Sequence, residues 1–307
     1  MIKRTLCFSN PTYLSVKLNQ LVVSYPDSDE KRTVPIEDIG VVILDNPQIT
    51  VTQSVMVNLL ENNAAVITCN SRHHPIGLHL CLESNTLQQE RFDNQINSSE
   101  ALKKNLWQQT VQAKIYNQAM VLQEMTDTPI KNMLYWSKSV LSGDTTNYEA
   151  RAAAYYWQNL LEDNDNFKRE RFGEYPNNFF NYAYAILRAI TARSLVASGL
   201  LPTLGIHHSN RYNAYCLADD VMEPYRPYAD RLVLQTINDN PETEEITKEI
   251  KTSLLSLPIT DVKINKQIRP LQLAVLETAQ SLEDCFAGQR RKIKYPLCTS
   301  QLLNKAV

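Results

Sequence analysis

The pattern of hydrophobic and polar positions changes once along the chain, near residue 88. Before that point, short alternating or β-branched runs such as YLSVKLNQLVVSY (13–25) and GVVILD (40–45) are separated by Pro, Asp and Asn, which is typical of strands and turns. Apolar residues at helical spacing between 50 and 64 indicate one helix between strands. We therefore predict a small, mostly β-sheet domain with one crossing helix over residues 1–88.

After about residue 90 the segments lengthen and their period becomes 3.6. Examples are SEALKKNLWQQTVQAKIYNQAMVLQEM (99–125), NYEARAAAYYWQNLL (147–161) and FFNYAYAILRAITARSLVASG (179–199). The chain has only 7 glycines, so Gly199 at the end of the third segment is expected to cap a helix. The fold class predicted is α+β, in which a larger all-α domain over residues 89–307 follows the sheet domain.

Composition limits the classes of protein to which this chain can belong, but it does not identify a function. The chain has 307 residues, 43% hydrophobic content and a net charge of −2, so a polyanion would have to be met by a local basic patch. No apolar run approaches the length of a membrane span, and the N-terminus lacks the pattern of a secretory signal, so a cytoplasmic location is expected. The cysteines show no C-x-x-C spacing and are expected to be reduced thiols: Cys7, Cys69, Cys81, Cys216, Cys285 and Cys298.

The segment GIHHSNRYNAYCLADDVMEPYRP (205–227) gathers histidines and acids within a few turns of chain. We expect a helix from about Asn213, on which Asp220 and Glu223 share one face. Two neighbouring carboxylates favour a cation between them, and an imidazole such as His208 could supply a third ligand. Solvent-exposed or helix-capping groups would give the same spacing, so this segment alone does not decide between the two interpretations.

A further acid, Glu149, lies in the first turn of a predicted helix with Asn147 as its expected N-cap. Acids favour this position in any helix, so the placement alone does not imply a ligand. The alanines at 150 and 152–154 would allow another backbone to approach closely, whereas the aromatic residues at 155–157 supply bulk. A tightly packed helix that begins with an acid suits a ligand that must be held still.

At these motifs the chain resembles the CRISPR-associated integrase family of spacer acquisition, in its type II form, over essentially its whole length. The resemblance implies that Glu149, in an E-x-x-A-A-x-x-Y-[FW] helix, is a metal ligand. It assigns the same role to His208 of a G-x-x-H element and Glu223 of a D-x-x-E-P-[FY]-R element. Ala150 and Ala183 stand where many members have glycine, which affects fine geometry more than the assignment.

What the resemblance implies is a metal-dependent DNA endonuclease and integrase with these three residues as the catalytic group. With Mg²⁺ or Mn²⁺ bound, the 3′-hydroxyl of a short prespacer duplex would attack a phosphodiester at the edge of a CRISPR repeat. The implied partners are double-stranded DNA, a second copy of the chain bound through the sheet domain, a dimer of a small CRISPR-associated subunit held between two such dimers, and other type II adaptation proteins. Two alternatives stay open, a branched-DNA repair nuclease outside CRISPR and a non-catalytic DNA-binding scaffold.

Residues around the three ligands carry further predictions. Asp220 is expected to hold a ligand or an arginine, His207 to pack or to support the site, and Asp219 to lie at the surface. Arg226 could reach Asp220 or a phosphate.

Farther along, a basic run is a DNA-binding candidate, although a run this short is also typical of a solvated face: Arg290, Arg291, Lys292 and Lys294. The histidines His73, His74 and His79 lie around a turn with no acid or cysteine at ligand spacing, so they are interpreted as surface residues.

Overall fold

The computed structural model describes residues 2–26, 28–71, 73, 75–161, 167–170 and 173–298. The strands are β1 (Arg4–Phe8), β2 (Thr12–Lys17), β3 (Gln20–Ser24), β4 (Lys31–Pro35), β5 (Ile39–Leu44), β6 (Ile49–Val51), β7 (Ala65–Cys69), β8 (Pro75–His79), β9 (Asp261–Ile264) and β10 (Gln267–Pro270). The α-helices are α1 (Gln53–Glu61), α2 (Gln88–Ile96), α3 (Glu100–Met125), α4 (Lys131–Ser139), α5 (Tyr148–Leu160), α6 (Asn177–Ala197), α7 (Cys216–Met222), α8 (Arg226–Asp239), α9 (Lys248–Leu254) and α10 (Leu271–Phe286).

Two four-stranded sheets form the N-terminal region. The first has the order β1-β5-β7-β8, with β1, β5 and β7 parallel and β8 antiparallel to β7. The second has the order β4-β3-β2-β6. Leu14 and Leu21 of the second sheet pack with Val42 of the first sheet and with Val55 of α1 in one buried core. The α1 helix therefore helps to close the space between the sheets, as the pattern over residues 50–64 predicted.

The first sheet also contacts the helices, because successive strand residues point to opposite faces. Val42 faces the sheet core, whereas its neighbours Val41 and Ile43 belong to the larger core that includes the helices, as does Ile67 of β7. A parallel sheet buried on both faces reads as a continuous apolar run, which explains the unbroken GVVIL of β5. The sheet region and the helical region thus share one hydrophobic core.

The 26-residue helix α3 runs through the helical region and packs against α4, α5 and α8. Ser99 caps it by accepting a hydrogen bond from the N–H of Leu102. Its buried side chains include Trp107, Val111 and Leu122, but also the charged Lys114. A second long helix, α6, packs against α7, α8 and α10 and encloses the other side of this core.

The predicted fold class, a sheet region followed by a helical region, is confirmed. Strands β1 and β6 and the β9–β10 hairpin inside the helical region were not predicted, and α7 begins at Cys216 rather than near Asn213. Gly199 has φ +74° just after α6, which is the left-handed conformation of the predicted cap. The division of domains at residue 88, where α2 begins, stays a prediction.

All six cysteines are free thiols, in agreement with the sequence analysis. Within the described ranges, every helix is too short or too polar to cross a lipid bilayer.

Candidate metal centre

Glu149 is held at the start of α5 by an acid that precedes the helix. Asp144 accepts hydrogen bonds from the N–H groups of Tyr148 at 3.0 Å and Glu149 at 2.9 Å. Asn147, the predicted cap, adopts a left-handed conformation and its side chain makes no capping bond. The capping function therefore belongs to Asp144, and Asn147 supplies the turn. The Glu149 side chain, 22% exposed, reaches back toward α3.

His208 lies in the histidine loop, residues 205–208, which wraps around the carboxylate of Asp220. Oδ2 of Asp220 accepts the N–H groups of Ile206 at 2.8 Å and His207 at 2.9 Å, and Oδ1 lies 2.5 Å from Nδ1 of His208. Gly205 allows this close wrapping, because a Cβ there would lie 2.3 Å from the His208 carbonyl oxygen.

This arrangement orients the imidazole of His208. The hydrogen bond to Asp220, whose side chain is fully buried, raises the pKa of His208 above its usual value. A carboxylate bound to one ring nitrogen orients a histidine and leaves the other as the nitrogen that can ligate a metal. In His208 that nitrogen is Nε2, and the side chain is 44% exposed.

Glu223 lies at the break between α7 and α8. Because Pro224 cannot continue a helix, the chain turns through a 3-10 segment, Glu223–Tyr225, before α8 begins. Asn117 of α3 fixes this turn by donating to the carbonyl oxygen of Pro224 at 2.7 Å. The break aims the Glu223 side chain, only 4% exposed, at α3.

Lys114 of α3 brings the two glutamates together. Its Nζ lies 2.7 Å from Oε1 of Glu149 and 2.7 Å from Oε2 of Glu223. Burial acts to lower the pKa of Lys114, but the carboxylates of Glu223 and Glu149 outweigh it and the pKa is raised. Burial likewise acts to raise the pKa of Glu223, but Arg226 and Lys114 lower it below its usual value. Lys114 and Glu223 are therefore both charged near neutral pH.

Arg226 binds Glu223 and not Asp220. Its guanidinium lies 3.1 Å from Oε1 of Glu223 and stacks over the ring of Tyr184, at 5.1 Å from the centroid. Tyr184 in turn donates a 2.6 Å hydrogen bond to the buried Asp230. The alternative in which Arg226 pairs with Asp220 is therefore wrong, because Asp220 is fully engaged by the histidine loop.

His207 packs against α3. Its ring stacks on Trp107 with centroids 4.1 Å apart and planes 1° from parallel, and Trp107 also meets the ring of His208 edge-on. This placement agrees with the packing function proposed for His207. The neighbouring Asp219, expected at the surface, is instead buried and lies 2.6 Å from Nε of Arg188. The sequence did not indicate the burial of Asp219, because all seven residues of α7 are buried although two of them, Asp219 and Asp220, are acids.

The residues of this site fit a divalent cation in their chemistry. Carboxylate oxygens and an imidazole nitrogen are ligands that Mg²⁺ and Mn²⁺ accept. Oε2 of Glu223 is a buried oxygen that contacts Lys114 by charge, yet among the described residues no donor makes a well-aligned hydrogen bond to it. The 2.7 Å ion pair is a non-directional contact, which leaves lone pairs on this oxygen for a ligand. In the described part of the chain, no three His, Cys, Asp or Glu side chains already stand in ligating positions.

The basic run near the C-terminus is partly neutralised. Arg290 lies 3.3 Å from Asp284, and Lys294 lies 2.9 Å from Glu277. Arg291 and Lys292 are exposed. Lys292 lines a groove of about 530 Å³, together with Lys138 of α4 and residues of α3. Two of the four basic residues, Arg291 and Lys292, therefore remain DNA-binding candidates.

The histidines of the N-terminal region lie apart from this centre. His73 and His79 are exposed, as predicted, and His74 lies outside the described residues. His73 nonetheless contacts an acid, since its Nδ1 is 2.8 Å from the buried Asp45. Asp45 was missed because it is 28 residues away along the chain, so spacing could not indicate the pair.

Three residues of the site were missed by sequence reasoning: Lys114, Asp144 and Trp107. The signal for Lys114 was present, because Thr110, Val111 and Gln118, three or four residues away, belong to the buried face of α3. A lysine on such a face needs a buried partner. Asp144 had no comparable signal, since Asn147 is closer to the helix start and is an equally good capping residue type.

Comparison with known proteins identifies the family of this chain. A sequence model of the family described as CRISPR associated protein Cas1 matches residues 6–257. A CRISPR-associated endonuclease Cas1 of Neisseria meningitidis is 37% identical over 272 residues, which cover 87% of this chain and 86% of the relative.

Solved structures show the same fold at low sequence identity. A casposase bound to integration product has a TM-score of 0.77 and 18% identity, and covers 95% of this chain and 92% of its own. A chain of a Cas6-RT-Cas1–Cas2 complex has a TM-score of 0.73 and 19% identity, covering 94% of this chain and 35% of its own. The resemblance identified at the helical motifs is confirmed, and the chain belongs to the Cas1 family of CRISPR-associated endonucleases.

Proposed function

We propose that this chain is the Mg²⁺- or Mn²⁺-dependent integrase of CRISPR spacer acquisition, in the type II form, with Glu149, His208 and Glu223 as its metal ligands and catalytic residues. The reaction joins the 3′-hydroxyl of a short DNA duplex to a phosphodiester at the edge of a CRISPR repeat and releases another 3′-hydroxyl. One P–O ester bond forms as another breaks, so the number of phosphodiester bonds does not change. Family membership and the relative's description as an endonuclease support DNA phosphodiester chemistry.

One observation carries the assignment of the site. Glu149 and Glu223 come from elements 74 residues apart, yet a single cation, the Lys114 ammonium, contacts both at 2.7 Å. Two carboxylates that can share one cation in a mostly buried position are a suitable pair of metal ligands. The charges of Glu223 and Glu149 also act to raise the pKa of His208, after the hydrogen bond to Asp220, and we assign its imidazole as the third donor of the set.

The side chains of the chain divide the work around the reacting groups. A bound divalent cation would lower the pKa of the attacking hydroxyl and neutralise charge that develops on the phosphoryl oxygens. Glu149 and Glu223 would supply the negative oxygens that hold it, and Asp220 keeps His208 in the tautomer with a proton on Nδ1. Arg226 holds one Glu223 oxygen and keeps the carboxylate from rotating.

We also propose the partners that this function requires. They are prespacer and leader–repeat DNA, a second copy bound through the N-terminal sheet region over residues 1–88, and a small CRISPR-associated subunit. The helical region over 89–307 would carry catalysis and bind DNA with the exposed Arg291 and Lys292. Similarity to a casposase bound to integration product and to a Cas1–Cas2 complex supports DNA and a partner subunit in this list.

A strand-transfer assay tests the proposal. A prespacer duplex labelled at its 5′ end is mixed with a plasmid carrying a leader and repeat, the partner subunit, and Mg²⁺, Mn²⁺ or EDTA. The wild type should give a longer labelled strand only with metal. His208→Ala should lower the yield by about 100-fold or more, since even partners behind the ligands contribute 10- to 100-fold. Thr252→Ala removes an exposed hydroxyl of α9, away from the proposed ligands, and should leave the yield unchanged.

Other outcomes would favour the alternatives. If the wild type cuts branched DNA in a metal-dependent way but joins no prespacer, a repair nuclease becomes the better account and the metal centre stands. Unchanged joining by Glu223→Ala would instead contradict the assigned ligands.

A further inference from the structure

A buried lysine lies at the centre of the candidate metal site. The Lys114 side chain is 9% exposed, and its ammonium lies at equal 2.7 Å distances from the two proposed ligand carboxylates. A charged group this buried is stable only when it is paired. Lys114 is therefore paired by the same oxygens that a metal would use.

The charges of the cluster are balanced without a metal. Glu149 and Glu223 carry one negative charge each, and Lys114 and Arg226 carry one positive charge each. A divalent cation added to these four groups would leave two surplus positive charges among them, only partly offset by the nearby Asp220 carboxylate, which is unfavourable in a buried position. A lysine ammonium can move out of such a site, because it is a point charge at the end of a flexible four-carbon side chain.

We propose that Lys114 is an internal counter-cation of the metal centre, which holds Glu149 and Glu223 together in the metal-free protein and must be displaced when the metal binds. This inference rests on the proposed function, because it assumes that these two glutamates are metal ligands. Lys114 is then a positioning residue with two opposite effects. The lysine stabilises the metal-free fold by keeping the carboxylates from repelling each other, and it weakens metal binding by competing for their oxygens.

The test is a Mn²⁺ titration of the full-length protein without DNA, followed by electron paramagnetic resonance of free Mn²⁺, together with thermal unfolding. Lys114→Met keeps the bulk of the side chain and removes its charge. We expect Mn²⁺ to bind about tenfold more tightly to this variant or better, because the competing cation is gone. Its Tm without metal should fall, and the rise in Tm caused by saturating Mn²⁺ should exceed that of the wild type.

Two control variants make the result specific. Lys251→Met removes another buried lysine, which pairs with Asp45, so it should lower Tm without changing the Mn²⁺ affinity. Glu149→Gln should lose most Mn²⁺ binding. If Lys114→Met does not fold, Lys114→Gln, which is neutral but can still donate hydrogen bonds to both glutamates, should show the same gain in affinity.

The failures of the two proposals look different. Unchanged or weaker Mn²⁺ binding by the Lys114 variants, when the wild type binds and Glu149→Gln does not, would overturn the counter-cation and leave the metal centre intact. Absence of Mn²⁺ binding by the wild type and the Lys114 variants alike would overturn both.

Discussion

Asp220 uses both carboxylate oxygens, one for the backbone N–H groups of Ile206 and His207 and one for the ring of His208. Replacing this aspartate by asparagine would break some of these hydrogen bonds, because one oxygen would become an NH₂ group that faces other donors. Asp220 was expected to hold a ligand or an arginine, and its carboxylate lies against the ring of His208, the proposed ligand.

We predict that Asp220→Asn lowers Mn²⁺ affinity and strand transfer by roughly 10- to 100-fold, the usual effect of disturbing a residue behind a metal ligand. Binding is measured by titration and transfer by the labelled-strand assay. Asp219→Asn is the matched control, since its carboxylate pairs with Arg188 rather than with the histidine loop. Equal losses in both variants would mean that Asp220 acts through general stability.

Asp230 gives the protein a pH dependence of stability. Its burial raises the pKa to about 6, although hydrogen bonds from Tyr184 and Tyr156 act in the opposite direction. A carboxyl group whose pKa is higher in the folded protein binds its proton more tightly there. Its contribution to stability is therefore complete below the unfolded value near 3.8 and is lost as pH rises through about 6.

We predict that the free energy of unfolding of the wild type, relative to Asp230→Asn, falls by roughly 3 kcal/mol between about pH 4 and pH 7, the amount that corresponds to about two pKa units. Urea unfolding of both proteins at each pH measures the difference. A difference that rises with pH, or does not change, would contradict the raised pKa.

At the scale of elements, α5 shows how a helix end positions a proposed metal ligand, Glu149. Asp144 accepts the first two N–H groups of the helix, including that of Glu149 itself. Asp144 thus fixes both the start of the helix and the backbone that carries the proposed ligand Glu149. Asn147 makes no such bond, and its φ of +55° is a conformation that glycine adopts without strain.

We predict that Asp144→Ala lowers the free energy of unfolding by about 1–2 kcal/mol, the range for loss of a helix cap, and also reduces Mn²⁺ binding. Asn147→Gly should be neutral or slightly stabilising, because the side chain does not cap and glycine tolerates the turn. Chemical denaturation of the two variants measures these effects. A larger loss for Asn147→Gly would restore the capping function that the sequence suggested for Asn147.

The elements that could be predicted are those with a local signal. The alternating strands before residue 88 and the long amphipathic helices after it follow from periodicity alone. Strand β1 is short and owes its place to parallel pairing with β5, a partner more than thirty residues away. The start of α7 was placed too early because the polar run before it forms turns rather than helix. The three proposed ligands came from motif resemblance, since spacing left the solvated interpretation open.

At the scale of the whole molecule, an ion pair joins the sheet region to the helical region. Asp45 follows β5 and its side chain is fully buried, with Nζ of Lys251 in α9 at 2.5 Å and Nδ1 of His73 at 2.8 Å. The hydrophobic core shared by the first sheet and the helices surrounds the same boundary. The two regions are therefore expected to unfold together.

We predict that Asp45→Asn lowers the free energy of unfolding by roughly 3 kcal/mol or more, because it leaves the Lys251 charge buried without its partner. His73→Ala should cost less than about 1 kcal/mol, since His73 is nearly half exposed. Urea unfolding followed by circular dichroism gives both values and shows whether there is one transition. Two separate transitions in the wild type would contradict a shared core.

The central claim is that Glu149, His208 and Glu223 hold one divalent cation. The most direct measurement is anomalous diffraction from crystals of the full chain grown with Mn²⁺. We predict one strong peak within ligand distance of both carboxylates and of Nε2 of His208, with the Lys114 ammonium moved away from the carboxylates. A site occupied elsewhere, or density that still shows Lys114 bridging the two glutamates at saturating Mn²⁺, would contradict the account.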